Sequence, residues 1–239
     1  MRTLETSIGP LRYEVLGEGP GLLVPWCNVD WLHTACVQAL AEHCTVVVGC
    51  PRGFGASSRL PPGAAYSAES ILADLRQLGR AAGLERFSVL GYSLTAAVGA
   101  WLAASSPSVD AVVAGGFPLL GAYRRVQELA EGEVAAETAA ERSARQTDFD
   151  RRAALAFYRD LAVRPDDALV DALACPLLSF WGARDEILEV TGALDTLEAD
   201  LARRGATVRV LEGLDHAGAL LATESLVPDI VIWLDEHRR

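Results

Sequence analysis

The stretch Phe87-Ser88-Val89-Leu90-Gly91-Tyr92-Ser93-Leu94-Thr95-Ala96-Ala97 decides the fold of this 239-residue chain. Its opening is a short apolar run of strand-forming residues, which predicts a strand over 87–90. Residues 96–104 are small and apolar all round, the pattern of a buried helix packed close to a sheet. Between them, residues 91–95 must turn sharply, and Ser93 sits at that turn.

Working outward, the same alternation recurs. Residues 12–16 and 22–24 read as strands separated by a turn at Gly17, Gly19, Pro20 and Gly21, and 45–48 is a third β-branched run. Ser67 is a good helix cap, and Ile71, Leu72, Leu75 and Leu78 recur at helical period until Gly83. Further strands are predicted at 111–113, 176–181 and 208–211. Leu194, Leu197 and Leu201 mark a helix closed by Gly205, and a last helix ends near Trp233. Strands joined through helices imply an α/β class with a mostly parallel central sheet and helices on both faces. From Phe117 to about Ala174 strand signals vanish and charged helical sequence takes over. This predicts a core domain of residues 1–116 and 175–239 with a helical lid, 117–174, inserted in it.

Composition narrows the function classes. With 51% apolar residues the chain can bury a large core. No arginine-flanked apolar segment opens it, and no apolar run approaches the roughly 18 residues of a membrane span. The five cysteines, Cys27, Cys36, Cys44, Cys50 and Cys175, are odd in number and lack CxxC or Cys/His ligand spacing. That pattern suits reduced thiols in a cytoplasm and indicates no metal site. A formal net charge of −11 opposes phosphate backbones and anionic lipid, so neither nucleic acid nor membrane is an expected partner.

Gly91, Tyr92, Ser93, Leu94 and Thr95 at a strand-to-helix turn resemble the nucleophile elbow of the α/β-hydrolase family, in which a strained GxSxG turn lifts the serine hydroxyl above the sheet. This chain reads GxSxT, with a β-branched residue where close packing is expected. A serine hydroxyl needs a base, and the base needs a third group to hold its tautomer. The family order of serine, acid and histidine implies Asp185, after the strand-like 176–181 and Gly182, and His216, in the loop after the final strand. Asp215 replaces the glycine that usually precedes this histidine, and either competes for the imidazole or faces solvent.

The resemblance also implies an oxyanion hole built from the backbone N–H of Leu94 and a second N–H, from Asn28 or, with a one-residue slip, from Cys27. Trp26 is expected either to wall a substrate pocket or to lie in the core, and Tyr92 to line the pocket. Cys50, Arg52, Gly53, Gly55 and Ser57 resemble the family's Asp-x-x-Gly-x-Gly-x-Ser loop with Cys50 in place of the aspartate. That change leaves a supporting hydrogen bond absent or replaced, and Cys50 is expected to be a buried filler. Tyr123, Phe149, Phe157 and Tyr158 in the insertion either line an acyl site or pack the lid. The resemblance as a whole implies a cofactor-free serine hydrolase acting on an ester or thioester of a small acyl substrate. Acyl transfer from the same intermediate, and a non-catalytic binding protein on the same fold, are the alternatives.

Overall fold

The strands of this chain assemble into one sheet because their apolar residues point to both faces. The computed structural model describes residues 1–25, 35–138 and 149–238. Its strands are β1 (Arg2–Leu4), β2 (Leu11–Leu16), β3 (Gly21–Pro25), β4 (Thr45–Cys50), β5 (Phe87–Tyr92), β6 (Val109–Gly115), β7 (Leu177–Gly182) and β8 (Thr207–Leu211). The spatial order is β1-β2-β4-β3-β5-β6-β7-β8. β2 runs antiparallel to β1 and β4, and all other neighbours are parallel. Every residue of β5, β6 and β7 is buried, as expected for parallel strands covered on both sides.

The helices among the described residues are α1 (Ala35–Leu40), α2 (Ala68–Ala81), α3 (Leu94–Ala104), α4 (Tyr123–Ala136), α5 (Arg151–Ala162), α6 (Ala168–Asp171), α7 (Glu186–Thr191), α8 (Leu197–Arg203), α9 (His216–Leu221) and α10 (Thr223–His237). On one face, Leu23, Val47, Val89 and Val112 pack with α2, α3, α8 and part of the 117–174 segment. On the other, Leu22, Val46, Leu90 and Val113 pack with α1 and α10. Neighbouring strand residues thus serve opposite layers, as the period of two requires. Ser67 caps α2 with a reciprocal bond from Ser70, in agreement with the start read from sequence.

The sheet order reverses at β3, which lies between β4 and β5. In open α/β sheets a crevice forms beyond the carboxyl ends of strands at such a switch point. The turn after β5, at Ser93, is therefore at the place where the topology makes room for a ligand.

Among the described residues three helices, α4 to α6, lie between β6 and β7, in the stretch where the sequence predicts an insertion. The segment also touches β-type backbone, because Phe149 makes an antiparallel bridge to Phe54. α5 is tied down at its start. The Asp150 N–H donates to the Gly53 carbonyl at 2.6 Å, Tyr66 Oη donates to Asp150 Oδ2 at 3.0 Å, and Arg152 donates to the Leu60 carbonyl at 2.8 Å. Farther along, Asp160 accepts from the Ala68 N–H at 2.7 Å, an anion at the N-terminus of α2.

Candidate active site

The turn at Ser93 forms because the backbone can be held in a conformation that it would otherwise avoid. Ser93 has φ 53° and ψ −129°, one of two non-glycine residues with positive φ among the described residues. Such a conformation costs about 1–3 kcal/mol and persists only when its surroundings over-determine it. The Ser93 N–H donates to the Gly115 carbonyl at 2.8 Å, and the Ala96 N–H donates to the Ser93 carbonyl at 2.9 Å. A Cβ at Gly91 would overlap the Thr95 carbonyl, so glycine is required for the chain to double back.

Thr95 is the departure whose packing the sequence reading questioned. It is 4% exposed, and its hydroxyl both accepts from the Tyr92 N–H and donates to the Tyr92 carbonyl, each at 2.9 Å. The hydroxyl bridges the two ends of the turn. The β-branched side chain therefore braces the elbow instead of crowding it.

Asp185 follows β7 and is fully buried. Its Oδ1 accepts from the N–H groups of Ile187 and Leu188 at 3.0 and 3.1 Å, capping α7. Its Oδ2 is 2.8 Å from His216 Nδ1. The cap fixes the carboxylate and the carboxylate fixes the imidazole, with Nδ1 as the donor, which leaves Nε2 as the acceptor nitrogen. Gly182 makes this meeting possible, since a Cβ there would overlap the Leu214 carbonyl on the loop that carries His216. Asp215 does not compete for the ring. It is exposed and caps α9 by accepting from the Gly218 N–H at 2.7 Å.

Ser93 and His216 line one cleft of about 390 Å³. Among the described residues no hydrogen bond joins the two, and such bonds are often long before a substrate is bound. Leu94, which also lines the cleft, opens α3, where first-turn N–H groups have no partner within the helix. Tyr92 lines it too, as expected. Of Tyr123, Phe149, Phe157 and Tyr158, the second and fourth line the cleft. Tyr123 and Phe157 are fully buried, Tyr123 donating to the Leu119 carbonyl at 2.6 Å and Phe157 packing 5.4 Å from Trp101. Trp26, Cys27 and Asn28 lie outside the described residues.

Cys50 is 3% exposed, and burial pushes its thiol up to about 12, which suits a filler and not a nucleophile. The loop that follows Cys50 is tied to Asp74 on α2. Arg52 donates to Asp74 through Nε at 2.7 Å, through a terminal nitrogen at 2.5 Å and through its backbone N–H at 2.8 Å. Sequence reasoning missed this pair, although the signal was present. Asp74 stands three residues after Ile71 and four before Leu78, on the apolar stripe of the helix.

Comparison with known proteins supports the fold. The sequence profile of the alpha/beta hydrolase fold matches residues 20–117. The chain has the α/β-hydrolase fold. Among solved α/β-hydrolase structures, E-2-(acetamidomethylene)succinate hydrolase is 21% identical with a TM-score of 0.75, covering 98% of each chain. A thermophilic esterase from Thermogutta terrifontis is 20% identical over 100% of both chains, TM-score 0.71. An enol-lactonase from Burkholderia xenovorans LB400 is 17% identical, TM-score 0.71, covering 98% of this chain and 100% of that one. No protein of curated function matches the chain. No helix among the described residues is long and apolar enough to cross a membrane.

Proposed function

We propose that this chain is a serine hydrolase that cleaves an ester or thioester of a small organic substrate through an acyl-serine intermediate. The observation that carries the reading is the 2.8 Å bond from His216 Nδ1 to a fully buried Asp185, with Ser93 on a strained elbow over the same cleft. In this scheme His216 Nε2 takes the Ser93 proton as Oγ bonds to the substrate carbonyl carbon. The resulting oxyanion is met by the Leu94 N–H and by a second donor, Asn28 or Cys27. Its collapse breaks the carbon–oxygen or carbon–sulfur bond, and the leaving group takes the proton from Nε2. Water, deprotonated by the same nitrogen, then attacks the acyl-serine, releasing the acid and restoring Ser93.

Leu94, Val134, Phe149, Leu155 and Leu220 make the cleft wall mainly apolar, while Glu133 and Arg151 stand among the lining residues. This favours a small, largely apolar acyl or alcohol group with limited polarity. Helices α4 and α5 contribute much of this wall, the position of a lid. A carboxylate nucleophile, as the family's epoxide hydrolases use, is argued against by serine at position 93. Of the sequence departures that suggest a non-catalytic relative, Thr95, Trp26, Cys50 and Asp215, all but Trp26, which lies outside the described residues, have a structural role, and this weakens that alternative.

A fluorophosphonate probe is expected to label Ser93 in the folded protein. Ser93→Ala should lose labelling and lower turnover of a short-chain nitrophenyl ester by at least about 10⁴-fold. A folded native protein that resists the probe, or full turnover in Ser93→Ala, means that the mechanism is wrong.

A further inference from the structure

His216 opens α9, a six-residue helix of which Ala219 is the one buried residue. The preceding loop is shallow, with Glu212, Gly213 and Asp215 exposed. Core packing alone therefore fixes little of the backbone that carries the imidazole. Two side chains from elsewhere hold it. The His216 N–H, a first-turn donor without a partner in its own helix, donates to Glu186 Oε2 at 3.1 Å. The His216 carbonyl accepts from Tyr92 Oη at 2.6 Å. The Tyr92 ring also lies 5.0 Å from the imidazole, centroid to centroid, and 5.6 Å from Phe180.

These two residues are the chain neighbours of the other two members of the constellation. Tyr92 precedes Ser93, and Glu186 follows Asp185. The strand end that presents the nucleophile and the helix start that presents the acid thus each extend a second side chain to the peptide of the base. Burial pushes the Tyr92 hydroxyl well above its ordinary value, with Asp185, Glu186 and Asp215 adding to it, so it is a protonated donor at any working pH. Catalysis by a base is sensitive to its placement, because about 1 Å of error can cost on the order of 10²-fold.

We propose that Tyr92 and Glu186 are positioning residues, which clamp the backbone of His216 from both sides so that its ring stays aligned between Asp185 and Ser93. The proposal rests on the acyl-serine reading and acts through His216 alone. Tyr92→Phe keeps the ring and removes the hydroxyl. It is expected to lower kcat for a nitrophenyl ester by about tenfold with KM within about twofold, while the melting temperature moves by only a few degrees. The loss should vanish in a His216→Ala background, since a clamp on an absent base has nothing to place. Glu186→Ala should lose activity, and Glu186→Gln, which keeps an acceptor oxygen, should recover it. Full kcat in Tyr92→Phe, an equal loss in both backgrounds, or no recovery by Glu186→Gln overturns the clamp. A readout independent of turnover separates this failure from that of the acyl-serine reading. In a Ser93→Ala protein, the far-downfield proton resonance of His216 Nδ1–H should exchange faster with water once Tyr92→Phe is added. An unchanged resonance counts against the clamp, whatever the fluorophosphonate result.

Discussion

At the residue scale, Thr95 shows how a departure from a motif is absorbed. A smaller residue at this position would allow close packing but could not bond to the turn. Here the hydroxyl satisfies both the N–H and the carbonyl of Tyr92 at a site that is 4% exposed, directly before the strained Ser93. Thr95→Val keeps the shape and removes the bonds, leaving a buried donor to find another partner. It should destabilise the protein by about 1–3 kcal/mol in urea unfolding, with an accompanying fall in any nitrophenyl ester turnover as the elbow loosens. Thr95→Ser, which retains the hydroxyl, should keep most of both. If Thr95→Val is as stable as the native protein, the strain at Ser93 is held by the Gly115 and Ala96 bonds alone.

At the element scale, the loop after β4 is fastened to α2 by Arg52 and Asp74, which bear on the placement of the switch-point crevice. Asp74 is fully buried and Arg52 is 16% exposed. Removing one partner of such a pair leaves an uncompensated charge, so Arg52→Met should cost about 3–5 kcal/mol. Replacing both, as Arg52→Met with Asp74→Leu, should recover at least half of that loss in the same urea titration. A double variant no better than the single one would assign the cost to lost packing. The pair also marks what was legible in the sequence. The elbow could be read because strand and helix periods meet at Ser93, and Asp185 and His216 because the family resemblance implies an acid and a histidine after later strands. Asp74 was hidden because one carboxylate among helical charges reads as surface, although its register placed it inward. β1, three residues without alternation, and the short helices α7 and α9 carry too little pattern to be seen. The starts of α7 and α9 are written by capping aspartates, Asp185 and Asp215.

At the scale of the whole molecule, the question is how helices α4 and α5 are held against the rest of the chain, since they supply much of the cleft wall. The join converges on Asp150. Its N–H bonds Gly53, its carboxylate accepts from Tyr66 and from Arg152, and Arg152 reaches on to Leu60 and Pro61. Burial works against the charge on Asp150. The hydrogen bonds from Arg152 and Tyr66 outweigh it and hold this carboxyl below the usual carboxylate value. A folded-state value below the unfolded one gives a stabilisation that is complete above the unfolded value, about pH 4, and is lost as pH falls through the folded value. The native protein should therefore be more stable than Asp150→Asn at pH 7, and the gap between their unfolding midpoints should narrow as pH falls from about 5 to 3. Substrate affinity of the variant should fall with it, because α5 carries Arg151, Ala154, Leu155 and Tyr158 into the cleft. A gap that stays constant across this range would mean that the carboxylate's charge contributes nothing to the join. The backbone bond to Gly53 and the stacking of Phe54 on Phe149, with ring centroids 6.1 Å apart, would then carry it.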